Sequence, residues 1–145
     1  MHVLLRYRRA KTVKANYAGD SNFNASTSAG VTHNVTDFSI SATPTSQTIK
    51  AGQRTNYKVT LTPLNGFGGT ILLSCTGLPS GSTCSFASAS ITLSGSSSTS
   101  SAVTVQTSKS TAKGTYNLMF TGIYGSGSAS TGGLTHSANV MLTVQ

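Results

Sequence analysis

Apolar side chains recur at every second position of this chain, in short runs cut by glycine, proline and serine. Tyr57, Val59 and Leu61 form one such run, and Ile71, Leu73 and Cys75 another. Val103 and Val105, then Tyr116, Leu118 and Phe120, then Ala138, Val140, Leu142 and Val144 repeat the pattern. A period of two is the signature of a strand with one face in a core and one in water. The filler agrees. Ser and Thr make up about a third of the chain, Glu is absent, and no stretch combines apolar spacing of 3.6 with helix-forming residues. Thr favours strands, while Ser and Gly favour turns. The sequence therefore predicts an all-β chain. About eight short strands at intervals of roughly 10 residues point to a sandwich. Burying each large side chain contributes on the order of 1.5–3 kcal/mol, so such a core needs no metal.

The stretch Gly69–Phe86, GTILLSCTGLPSGSTCSF, carries both cysteines and the sharpest turn signal. Leu78-Pro79-Ser80-Gly81 breaks the alternation, because Pro fixes φ and Gly accepts φ > 0. Cys84 and Phe86 resume it on the return. Two strand segments joined by a tight turn bring Cys75 toward Cys84, and a bridge there would stabilise by about 2.5 kcal/mol in the chain-entropy model. The competing reading is two free buried thiols acting as small apolar residues. The bridge is favoured because the composition looks extracellular. Zinc is not expected: two Cys with His2, His33 and His136 offer no usual ligand spacing.

The net charge of +8 does not trace a nucleic-acid footprint. Arg6, Arg8, Arg9, Lys11 and Lys14 crowd the first stretch. Lys50, Arg54, Lys58, Lys109 and Lys113 are scattered, and Asp20 and Asp37 are the only acids. No segment is long enough to span a membrane as an apolar helix. Met1–Lys11 puts its short apolar patch before its charges, the reverse of an export signal. The expectation is a piece of a longer exported protein, or a chain whose start is not the native one, located extracellularly or at the cell surface.

Two regions are expected. Residues 12–18 and 31–35 place Val13, Ala15 and Tyr17, then Val31, His33 and Val35, on alternating faces around the polar loop Gly19–Gly30, with Phe23 as a lone anchor. That is a hairpin with too little apolar surface to stand alone. From Asp37 the strands are continuous to the end. Ser28-Ala29-Gly30-Val31-Thr32-His33 echoes Thr131-Gly132-Gly133-Leu134-Thr135-His136 at a separation of about one module of ~100 residues. Residues 1–36 are thus read as a basic arm plus the last two strands of a truncated upstream repeat, and 37–145 as a complete module.

In order, DFSISATPTSQTIKAGQ, YKVTLTPLNGFGGTILLSCTGLPSGSTCSF, ITLSG, KGTYNLMFTG and LTHSANVMLTV resemble the Ig-like modules found in tandem in large bacterial exported proteins. They are also similar to the Ig-like domain attached to alpha-galactosidases. Tyr17-Ala18-Gly19-Asp20-Ser21-Asn22-Phe23 resembles the tail of a different bacterial Ig-like repeat. The resemblance implies an all-β, immunoglobulin-like antiparallel β-sandwich preceded by an orphan β-hairpin. It also implies a spacer, an adhesion element or a non-catalytic companion of an enzyme. Its expected partners are neighbouring Ig-like domains of the same array and cell-surface glycans or proteins.

Catalytic chemistry is not expected. Glycoside hydrolysis wants two carboxylates a few ångströms apart, but Asp20 and Asp37 fall in different regions. No G-x-S-x-G elbow is present, and His136 reads as a strand histidine facing solvent. Without Glu, neither an isopeptide crosslink nor a calcium cage is favoured. No cofactor is expected. Tyr124, in a glycine-rich loop spanning Gly122–Gly133, is the one aromatic singled out as a sugar platform, with packing over the sandwich end as its bland alternative. Asn24-Ala25-Ser26 and Asn34-Val35-Thr36 match the glycosylation sequon by pattern alone.

Overall fold

The structure, a computed structural model, describes residues 11–125 and 133–145. The basic arm through Arg9, with His2, and most of the Gly122–Gly133 loop lie outside the described residues. The chain divides into two compact units, the first ending at Thr36 and the second Asp37–Gln145.

In the first unit, β1 (Lys11–Val13) pairs antiparallel with β4 (Val31–His33), and β2 (Asn16–Tyr17) with β3 (Ser26–Thr27). Together they form one interrupted hairpin. Ser28 N–H to Ala15 O (2.9 Å) spans the break. Strands form where the alternation predicts them, but they close no core: Val13, Phe23 and Val31 are each about two-thirds exposed.

The second unit is a two-layer sandwich with no helix among the described residues. One sheet orders β5 (Asp37–Thr43), β7 (Arg54–Leu64), β11 (Thr99–Gln106) and β9 (Thr83–Phe86). The other orders β10 (Ser90–Ser94), β8 (Gly68–Thr76), β12 (Gly114–Tyr124), β13 (Leu134–Val144) and β6 (Ser46–Ile49). The first order, and β8-β12-β13 within the second, repeat the ABED and CFG arrangement of a constant-type immunoglobulin sandwich. β6 and β10 are added at the edges. The chain passes from one sheet to the other between β5 and β6, at Thr43-Pro44, whose peptide bond is cis. All pairings are antiparallel except β6 with β13.

Inward positions follow the sequence period. Tyr57, Val59 and Leu61 of β7 face Ile71, Leu73, Leu118, Phe120, Val140 and Leu142 from the opposite sheet, all buried. The expected glycine-rich loop begins later than the sequence reading places it. Gly122 lies inside β12, paired with Leu73 and His136. A Cβ there would sit 3.1 Å from Ile71 Cγ2 and 3.2 Å from Phe38 Cε2. Glycine is used at this point because neighbouring side chains fill the space, not because the chain turns.

The outward faces explain the hydroxyl-rich composition. Thr60–Ser100 (3.0 Å), Thr70–Thr92 (2.8 Å) and Thr121–Ser137 (2.9 Å) hydrogen-bond across neighbouring strands. Such pairs stabilise a ladder by about 0.2–1 kcal/mol each. The strands of the five-stranded sheet carry no Lys, Arg, Asp or Glu.

Candidate functional site

Both cysteines point into the sandwich, at the end where the β8–β9 connection crosses from one sheet to the other. Cys75 stands in register with Phe120, and Cys84 with Val105. The sequence reading joined them through a tight turn, and Ser82 N–H to Pro79 O (3.1 Å) closes that turn. Their strands do not pair, however. β8 pairs with β10 and β12, and β9 with β11, so the two residues face each other from opposite sheets. β10 and β12 occupy both edges of β8, so β9 finds its partner, β11, in the facing sheet. The expected Cys75–Cys84 bridge is not formed in this structure, where both are thiols, each partly exposed. Accepting the Cys84 S–H favours the thiolate at Cys75 and lowers its pKa, against an opposing contribution from burial. The same bond, with burial, holds Cys84 protonated. Tyr57 lies close by. Burial foremost, then the charge of Cys75, pushes its phenol up to about 12, and its hydroxyl donates to Met141 O at 3.0 Å.

Tyr124 ends β12 as a half-buried ring rather than an exposed platform. Its edge meets Phe67 with centroids 5.0 Å apart, and it covers Gly69, where a Cβ would lie 2.5 Å from Tyr124 Cε2. This is the packing arrangement weighed as its alternative role.

His136 departs from its expected place. It is not turned to solvent. Nε2 lies 2.7 Å from Asp37 Oδ1, with the side chains 32% and 13% exposed, and the ring stands edge-on to Phe38 at 4.8 Å. Asp37 Oδ1 also accepts the Phe38 N–H at 2.8 Å. No local motif announces a pair separated by 99 positions. The other acid, Asp20, serves its own loop. It accepts the Tyr17 hydroxyl (2.6 Å) and the N–H groups of Asn22 (2.8 Å) and Phe23 (2.9 Å). The Tyr17 bond, then those N–H groups, holds its carboxyl below the usual range. Among the described residues, no three His, Cys, Asp or Glu side chains cluster as a metal site, and no helix is long and apolar enough to cross a membrane.

No protein-family model matches the chain, and no curated protein sequence matches it. Its structure is similar to domains 4 and 5 of the S-layer protein SbsC, with 17% identity and a TM-score of 0.50, over 99% of this chain and 81% of that one. It is also similar to part of a family 123 glycoside hydrolase from Clostridium perfringens, with 12% identity and a TM-score of 0.51. That match covers 71% of this chain, which spans 27% of the hydrolase. At these identities the likeness is one of fold: an all-β sandwich of a kind that occurs within larger multidomain chains.

Proposed function

We propose that residues 37–145 act as a non-catalytic, load-bearing spacer module of a cell-surface or secreted multidomain protein, in series with neighbouring Ig-like domains. The observation that carries this reading is the course of β13 along the sandwich. Asp37 lies beside His136, at the beginning of that strand. Gln145 lies beyond its far end, its N–H donating to Ile49 O (2.9 Å) and its carbonyl accepting the Ala51 N–H (3.2 Å). Strand rises about 3.3 Å per residue, so roughly 30 Å separate entry from exit. A module entered at one end and left at the other adds length to an array.

The pairing of β6 with β13 suits such a role. The two strands are parallel and in register from Ser46–Met141 to Ile49–Val144. Tension applied through Asp37 and Gln145 pulls them past each other lengthwise. Their ladder bonds then carry the load together instead of opening one at a time. The occurrence of this fold in an S-layer protein and within a glycoside hydrolase chain is compatible with an external, non-catalytic role.

The test is single-molecule stretching of the full chain, with one handle beside Asp37 and the other at Gln145. The second unit should open in one abrupt event. Moving the second handle to the β11–β12 connection, Ser108–Lys113, should lower the opening force several-fold. Gradual lengthening at low force in the first geometry would remove the reading. Specific retention on a glycan array, lost in Tyr124→Ala, would replace it with a carbohydrate-binding accessory module.

A further inference from the structure

We infer that Cys75 and Cys84 form a modification site: a dithiol that closes into an inter-sheet disulfide by exchange with a small-molecule disulfide of the glutathione class. The argument is geometric. The two side chains come from facing sheets and pack against the same core, Cys75 in register with Phe120 and Cys84 with Val105. Both are partly exposed, so a small disulfide can reach them. Few residues separate them along the chain, and the Pro79–Ser82 turn holds that connection short.

Thiolate is the attacking species in exchange, and either cysteine can stabilise the other's thiolate through its S–H. Cys75 thiolate attacks one sulfur of the small disulfide, the S–S bond breaks, and one small thiolate leaves carrying the electron pair. A mixed disulfide remains on Cys75. Cys84 then gives up its proton, to the departing thiolate or to water, and attacks the Cys75 sulfur. The second small thiol is expelled. The protein has lost two hydrogens and the small disulfide has been reduced to two thiols, so the exchange balances.

The bridge would tie β8 to β9, strands that share no ladder. It joins the two sheets covalently at the end of the core lined by Phe86 and Phe120, whose rings stand 6.2 Å apart. Closing a loop of this length favours the folded state by about a hundredfold in the unfolding equilibrium.

The experiment incubates the full chain with oxidised glutathione and follows it by intact mass, peptide mapping and chemical denaturation. The expected product is a monomer lighter by two hydrogens, with Cys75 and Cys84 peptides linked and the denaturation midpoint raised. Cys84→Ala should stop at a stable glutathione adduct on Cys75, and Cys75→Ala at one on Cys84. The wild-type map decides the matter even if a variant fails to fold. Persistence of the dithiol, a stable adduct on the wild type, or disulfides found only between chains would each overturn the proposal.

Discussion

His136 Nε2 lies 2.7 Å from Asp37 Oδ1, joining the start of the last strand to the start of the module's first strand across the two sheets. The imidazole also stands edge-on to Phe38, a ring only 1% exposed. One contact thus pins the point of entry to the core. Removing the ring in His136→Ala loses a partly buried hydrogen bond and an aromatic contact, each worth about 0.5–1.5 kcal/mol. The expected loss is about 1–2 kcal/mol by urea denaturation. Asp37→Asn keeps an acceptor for the Phe38 N–H and should cost less. A double-mutant cycle should return a coupling near 1 kcal/mol, and additive effects would show that the pair carries no shared energy.

Two glycines with nearly the same backbone angle separate conformational strain from crowding. Gly66 has φ +77° with open space around a Cβ. Gly77 has φ +81°, and a Cβ there would overlap Asn117 O on the neighbouring strand. Alanine at position 66 should cost only the left-handed penalty, about 1–2 kcal/mol. Alanine at position 77 adds a collision with a backbone that cannot swing aside, and about 3 kcal/mol or more is expected. Equal midpoints for the two variants would refute the assignment of crowding to Gly77. Gly122→Ala, pressed against Ile71 and Phe38, should fall near 1–3 kcal/mol.

Alkaline pH tests the burial of Tyr57, which is 2% exposed. Its phenol is pushed up to about 12 in the folded chain, against about 10 when unfolded. Between these values the folded state binds more protons than the unfolded state. Stability is therefore whole below pH 10 and declines as pH rises toward 12, by on the order of 2 kcal/mol. Tyr57→Phe has no proton to lose and should flatten this part of the slope. At neutral pH it gives up the bond to Met141 O (3.0 Å), at a cost of about 1 kcal/mol. A phenylalanine variant that retains the full alkaline slope would place the titration elsewhere.

Much of the fold is legible in the order of residues because burial on one face imposes a period of two. Tyr57, Val59 and Leu61 could be assigned inward from their spacing alone, and all three are buried. Layer assignment is not local. The Pro79–Gly81 turn reads equally well as a hairpin or as a crossing between sheets. Only the competition of β10 and β12 for the edges of β8 decides it, and that keeps Cys75 and Cys84 in different layers. The His136–Asp37 contact was illegible for a related reason. It depends on where two distant strands end relative to one another, and no pattern within either strand records that. Tyr124 lies between the two extremes: packing over the sandwich end is one of the two roles the sequence offers, but Phe67 as the partner is not legible there.

The first unit offers a prediction confined to itself. Asp20 gathers three donors, the Tyr17 hydroxyl and the N–H groups of Asn22 and Phe23, into one turn. Gly19, at φ +84°, leaves no room for a Cβ beside Ala25 N. The Tyr17 bond first, and the two N–H groups after it, lower the Asp20 pKa. A carboxylate with a depressed pKa contributes order that is present above its unfolded value, near 4, and is lost as pH falls through the folded one. Acidification below pH 4 should therefore lower the protection factors of the Asn22 and Phe23 amides, taken against the intrinsic exchange rate at each pH, while the second unit's core amides stay protected. Asp20→Asn should give the lower protection already at neutral pH, because a neutral amide oxygen accepts these bonds more weakly than a carboxylate. Protection factors at Asn22 and Phe23 that ignore both the substitution and the pH would mean that the carboxylate does not organise the turn.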